Sequence, residues 1–187
     1  MAAPKLWYDR CWVTITPKGG SNLELAAKTK DITINYGDKD IELIDVNSGQ
    51  IAKFNRREMV EITFDDVIPL YGDVWNAGYE AADVSGTEGT ISASLERKQF
   101  RIVILWTDAD PSTISSATDA IPAGTNARRL IIEDAYFTSW EENWRDLVLM
   151  GGATFKAVAV DETGTAKVKV EYCTDASATG LSALSSY

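Results

Sequence analysis

The residues best suited to chemistry in this chain are carboxylates. Asp65-Asp66 and Asp108-x-Asp110 are the two clusters carrying the hard oxygen ligands that Mg²⁺ or Ca²⁺ prefer. Neither has the glycine and terminal glutamate of an EF-hand loop. Both stand at the exits of predicted strands, where Asp ends pairing and opens a turn, so a turn role is favoured over metal binding. Two carboxylates can also hydrolyse glycosides by acid/base catalysis, but the partners meet only in the fold and spacing does not identify them. Histidine is absent, which removes the commonest general base, the usual zinc ligand and the Ser/His and Cys/His nucleophile pairs. Cys11 and Cys173 lie near opposite ends of the chain, outside any metal or redox spacing. Two buried free thiols are favoured over one disulfide. The expectation is a protein with no catalytic residue, no metal and no cofactor.

Six tryptophans carry more information: Trp7, Trp12, Trp75, Trp106, Trp140 and Trp144. Indoles serve as sugar-stacking platforms or as anchors in cores and interfaces. Trp106 lies in the most apolar segment and reads as core. Trp75 sits in a glycine-rich segment beside Tyr71 and Tyr79, where a large aromatic gains only if a ligand or partner covers it. One reading is therefore a carbohydrate-binding β-sandwich module using Trp75 and its neighbouring tyrosines. The basic pairs Arg56-Arg57, Arg97-Lys98 and Arg128-Arg129 each precede a predicted strand and read as solvated flanks or as salt-bridge partners of acidic loops.

These residues must be positioned by strands. At 187 residues and 20.5 kDa the chain suits one domain, 1–187, with a substantial core. No apolar run is long enough for a bilayer span, and MAAPKLWYDRCW lacks a signal layout, so a cytoplasmic start is expected. A net charge of -10 repels polyanions and argues against ordinary nucleic-acid binding. Val60, Ile62 and Phe64 alternate with Glu61, Thr63 and Asp65, and Val168, Val170 and Tyr172 with Lys167, Lys169 and Glu171, as half-buried strands require. Ile32, Ile34 and Tyr36 are a shorter case, with Ile41 and Leu43 beyond a turn. "FRIVILWT", Phe100 to Thr107, is apolar on both faces and predicts a central strand covered on both sides. Asn47-Ser48-Gly49 and Asp161-Glu162-Thr163-Gly164 are hairpin-type turns. Seven or eight strands at this spacing predict a mainly β protein, a β-sandwich or barrel.

One short flanking α-helix is expected, either at Pro111 to Ala120 with Asp110 as cap, or in "WEENWRDLVLM", where Trp140, Trp144 and Leu147 share a helical face and strand after Leu147 is the alternative. Two long inter-strand loops, Tyr71 to Leu95 and Asp108 to Ala127, exceed simple turns and imply a job or a partner. Residues 174–187, small and polar, are expected to form a flexible tail or an arm that orders on a neighbour.

The stretch "RLIIEDAYFTSW", followed by "WRDLVLMGG" and the hairpin "ATFKAVAVDETGTAKVKVEY", resembles the C-terminal half of the tail tube proteins of tailed phages and of the related contractile injection systems; "REMVEITFDD" is similar to that family's early strand ahead of its long loop. The resemblance covers about two-thirds of the chain and weakens at "KLWYDRCWVTITPKG". It implies a β-sandwich of tail-tube type that self-assembles as a homo-oligomer, in hexameric rings stacked into a tube that conducts the genome. It implies no catalysis and no membrane, DNA that passes without specific binding, and tail partners such as tape measure, sheath or terminator proteins. Its implied place is the virion tail, assembled in the host cytoplasm. Under it, residues 71–95 become an assembly loop, and Tyr71, Trp75, Tyr79, Trp140 and Trp144 become candidate subunit-interface residues.

Overall fold

A computed structural model describes residues 10–24, 31–37, 41–46, 49–54, 59–67, 81–85, 88–92, 98–145, 148–174 and 179–187. "FRIVILWT" forms strand β9 (Phe100–Thr107), and it is covered on both faces as its composition predicts. Phe100, Ile102 and Ile104 enter one apolar cluster, while Val103 and Leu105 enter a second on the opposite face. Strand β1 (Arg10–Pro17) pairs antiparallel along one edge of β9, and β10 (Ala127–Arg145) along the other.

Around this centre the remaining strands are β2 (Leu23–Glu24), β3 (Asp31–Asn35), β6 (Met59–Val67), β11 (Val148–Val158) and β12 (Val168–Cys173). They form an eight-stranded antiparallel sheet in the order β2-β1-β9-β10-β11-β6-β3, with β12 also on β10. Strands β4 (Ile41–Val46) and β5 (Gly49–Phe54) make a separate hairpin, as do β7 (Ala81–Ser85) and β8 (Glu88–Ser92). The segment read as a loop at Tyr71 to Leu95 thus contains a β-hairpin, and the protein is mainly β.

Strand β10 is what curls the sheet. Ala127–Ile132 lie between β9 and β12, whereas Tyr136–Arg145 pair with β11. Between these halves the register shifts at Ile132/Ala135, and Asp134 takes φ 54°, an outlier for a strand. A bulge of this kind bends and twists a strand. The sheet folds over into a half-barrel with two layers, β2-β1-β9-β10-β12 and β10-β11-β6-β3. Between them lie Val13, Ile15, Ile102, Ile104, Leu130, Ile132, Val60, Ile62 and Phe64. Phe155 lies at the middle, edge-on to Phe64, Phe100 and Phe137 at 6.0, 5.9 and 5.2 Å between centroids. The alternation of β6 is as predicted, with Val60, Ile62 and Phe64 buried and Asp65 exposed.

The other predicted loop, Asp108 to Ala127, covers the second cluster. Ile114, Ala117 and Ile121 fold down onto Val103, Leu105 and Ile131. Thr14 of β1 holds it in place, its hydroxyl accepting from Ala117 N (2.9 Å) and lying 3.0 Å from Ser116 Oγ. No α-helix forms here. Asp110 caps as expected, accepting from Ser112 N, but only one 3-10 turn follows, Pro111–Thr113. The Asp119 carboxylate accepts from Ser115 N, Ser115 Oγ and Ser116 N, and such local side-chain bonds compete with helix continuation. The rival helix at "WEENWRDLVLM" is also corrected: its described residues belong to β10 and β11, where Trp140 pairs with Ala153 and Trp144 with Leu149. A spacing of four places residues on one face of a strand as well as of a helix, and pairing with β11 decides.

Segment 179–187, expected to be loose, lies instead on its own chain. Ile121 and Leu181 exchange two backbone bonds, Leu184 N donates to Thr118 O, and Gly19 N donates to Tyr187 O. Leu181 and Leu184 pack on the second cluster. The Asp161 turn forms as predicted, with Gly164 at φ 87°.

Candidate functional site

The carboxylates first considered for metal serve the backbone. Asp108 accepts from Asn126 N and Asn126 Nδ2, both at 2.8 Å, clamping the neck of the covering loop. Asp110 caps the 3-10 turn. Asp65 is exposed on β6, and the Asp66 side chain lies outside the described residues. Among the described residues no three Cys, Asp or Glu side chains gather as metal ligands would. Cys173 is buried and Cys11 exposed, so only one of the two thiols is buried as expected; both are free.

A dense polar constellation among the described residues is at the bulge of β10, a position that sequence reasoning passed over. Asp134 takes hydrogen bonds from Lys167 Nζ (2.7 Å), Lys18 Nζ (3.3 Å) and the Tyr187 hydroxyl (2.7 Å), and its own N–H donates back to that hydroxyl (3.0 Å). Burial opposes its ionisation, but the bonds from Lys167, Tyr187 and Lys18 outweigh it and hold the carboxyl at about 2. Burial first, and then the bond to Asp134, push the Tyr187 phenol well above its usual range, so it remains a donor. A cleft of about 810 Å³ opens beside this cluster, lined by Gln99, Asp134, Tyr136, Asp161 and Lys167 among others. Its carboxylates are already engaged: Asp161 accepts from Thr163 and Thr165 of its own turn. The arrangement is that of a structural latch.

A second such anchor is Arg129. Read as a solvated flank or a salt-bridge partner, it is the second: it pairs with Glu171 and is 1% exposed, because on β10 it shares the parity of Ala127 and Ile131 and faces the second cluster. Its guanidinium binds the Glu171 carboxylate, Asp119 O (2.9 Å) and Ser182 O (2.6 Å), tying β12, the covering loop and segment 179–187 together. Arg101 does the same one strand away, donating to Ser185 O (2.7 Å) and stacking on the Tyr187 ring.

What remains open is on the sheet's margins. In the layer β10-β11-β6-β3, β10 and β3 are the terminal strands. Among the described residues, no strand pairs with the far edge of Tyr136–Arg145 or of Asp31–Asn35. Both edge strands carry exposed polar side chains, among them Thr138, Ser139, Glu141, Glu142, Asp31, Thr33 and Asn35. Trp144, a predicted interface residue, stands 70% exposed near the end of the β10–β11 hairpin. Trp140, another, is turned onto the core, its ring so close over Gly151 that a Cβ there would fall 2.4 Å from Cζ2. Tyr71, Trp75 and Tyr79 lie outside the described residues.

At the opposite end of β10 is an aromatic rim. Arg128 pairs in register with Trp106 on one side and Tyr172 on the other. Its guanidinium lies 4.9 Å from the Trp106 ring centroid and donates a long bond, 3.4 Å, to Tyr36 Oη. The face of β12 read as buried is open here, with Val170 44% and Tyr172 70% exposed. β12 overhangs the end of the core, while its other face carries Glu171 and the buried Cys173.

No family model matches the chain, and no curated protein does. Solved structures do resemble it. One is a chain of the anti-feeding prophage baseplate, 6-fold symmetrised, at 9% identity and a TM-score of 0.45, covering 91% of this chain and 97% of that one. The anti-feeding prophage cap, described as the tube terminating cap, is similar at 13% identity and a TM-score of 0.45, with 92% and 94% covered. The sheath-tube complex of an extracellular contractile injection system, PVC, in its extended state, is similar at 10% identity and a TM-score of 0.45, with 90% and 94% covered.

Proposed function

We propose that this protein is a structural subunit of tail-tube type, whose copies join edge to edge into rings that stack as a conduit. The observation that carries the reading is the strand count between the two open edges. β10, β11, β6 and β3 alternate in direction along the layer. With four strands, the two terminal ones run oppositely, so β3 of one copy laid beside β10 of the next makes an antiparallel pair. Repeating that step by rotation closes a continuous antiparallel sheet with no edge left over. An odd number of strands would give parallel joints.

Rings of six are the form that the resemblance to tail tube proteins implies. The net charge of -10 suits a passage for DNA, because each cation on a wall would hold a phosphate and slow transit. The role needs no catalytic step. Other tail proteins would meet the ends and outside of the tube.

Proline in the open edge tests this. Along a strand, successive N–H groups point to opposite edges, so of Glu141 and Glu142 one donates toward β11 and the other toward the open side. Proline removes the donor. Of the variants Glu141→Pro and Glu142→Pro, one is expected to fold with wild-type circular dichroism yet remain monomeric in sedimentation velocity at concentrations where the wild type forms rings by negative-stain microscopy. Rings from both variants would refute the edge joint.

A further inference from the structure

We propose that the tip of the β10–β11 hairpin of one copy docks into the aromatic rim of a second copy, so that this contact, distinct from the edge joint, sets the axial stacking of rings. The inference rests on the ring reading above and names the residues that would connect one ring to the next. Tip and rim are carried by the same strand at opposite ends. β10 is 19 residues long, so at ~3.3 Å per residue it spans up to roughly 60 Å when straight. Within one molecule the two ends do not meet, and a contact between them is head-to-tail. A heterologous contact either closes a ring or propagates along an axis, and with the ring closed by the β3–β10 joint this second contact is left for the axis.

The two ends are complementary in charge and in shape of side chain. At the tip, Glu142 and Trp144 are two residues apart on a strand and point to the same face, and both are exposed. At the rim, Arg128 and Tyr172 are direct cross-strand neighbours, with Tyr36 beside them and Val170 next along β12. A carboxylate-plus-indole pair, two residues apart at ~6.6 Å along one strand, would thus meet a guanidinium-plus-phenol pair set ~5 Å apart across two strands. Among the described residues Arg128, whose guanidinium meets the Trp106 ring and Tyr36 Oη, has no carboxylate partner, and Glu142 has no cation. Trp144, Tyr172 and Val170 together are apolar surface left in water by the isolated chain, and covering aromatics in this way is what interface centres do. A single exposed ion pair contributes little; repeated around a ring, the contacts act together as a multivalent joint.

The test reverses the charges in the full-length chain and reads the length of stacks by negative-stain microscopy and sedimentation. Trp144→Ser is expected to leave single rings intact while shortening stacks at least about ten-fold, and Glu142→Arg, which keeps the backbone N–H that the edge joint uses, is expected to shorten them likewise. Arg128→Glu does the same, and Glu142→Arg combined with Arg128→Glu restores stacking. Because Glu142 and Trp144 are exposed at a tip, those two variants decide the matter even if Arg128→Glu misfolds. Stacks of wild-type length from Glu142→Arg and Trp144→Ser, with rings present, overturn this proposal alone and leave the ring reading standing. A wild-type protein that forms neither rings nor stacks at any concentration overturns both.

Discussion

Asp134 shows how one residue can hold a fold's bend. A non-glycine residue at φ 54° carries strain of order 1 kcal/mol, and Asp tolerates that region better than most. Here the strained backbone aims a carboxylate at Lys167, Lys18 and Tyr187. A carboxyl near 2 when folded and about 3.9 when unfolded stabilises the protein at pH values above the unfolded value; that contribution is lost as pH falls from about 4 toward 2. Asp134→Asn is therefore expected to cost roughly 2 kcal/mol at pH 7 and to flatten the acid limb of the stability curve between pH 4 and 2, measured by urea unfolding across pH. Asp134→Gly separates the two effects, since it relieves the backbone and loses the charge; it should titrate like Asn but be less destabilised. In the sequence the clue is a carboxylate pair, Glu133-Asp134 in "IIEDAY", interrupting an apolar strand. The partners of Asp134 were not legible, because Lys18 is 116 residues away and Tyr187 is 53.

The strands that alternate cleanly or are apolar throughout, β6 and β9, were legible because burial on one face or two leaves a direct trace in residue type. Elements held by the backbone were not. Segment 179–187 is small and polar, and composition alone suggests a loose tail, yet it is gripped through its carbonyls by Arg101 and Arg129 and through paired amides at Ile121. The backbone part of this hold is indifferent to most side chains, though Leu181, Leu184 and Tyr187 add contacts of their own and Gly180 is constrained. It has φ 83°, and a Cβ there would fall 2.1 Å from Ile121 O. Gly180→Ala is expected to lift the segment and destabilise the protein by about 1–2 kcal/mol. Hydrogen exchange should quicken at Ile121, Leu181 and Leu184 while the amides of β6 and β11 keep their protection. Unchanged exchange at those three positions would show that the segment is not held at Gly180. The second misreading, a helix at "WEENWRDLVLM", came from a spacing common to both structures, and only the partner strand β11 resolves it.

At the scale of the molecule, some parts build the eight-stranded sheet and others stand outside it. Every strand of the eight-stranded sheet lies outside residues 71–95, and among the described residues the hairpin β7–β8 within that segment pairs only with itself. Among the residues whose side chains are described, both apolar clusters are likewise built outside it. Removing 71–95 therefore takes away no described part of the core, and a shorter connection from Val67 to Phe100 costs little closure entropy, which changes slowly with loop length. The deletion variant is expected to keep its far-ultraviolet circular dichroism and to melt within a few degrees of the wild type, since about 1 kcal/mol corresponds to about 2–4 °C in a domain of this size. Assembly is expected to fail under the proposed tail-tube role, in which a hairpin that among the described residues pairs only with itself meets another copy. The measurement is paired: melting temperature for the subunit, and negative-stain microscopy at matched concentration for rings and stacks. Normal stacks from a stable deletion variant would remove the segment from assembly and leave the open edges of β10 and β3, with the hairpin tip, to carry it. Collapse of the monomer would instead place β7–β8 within the subunit's own fold.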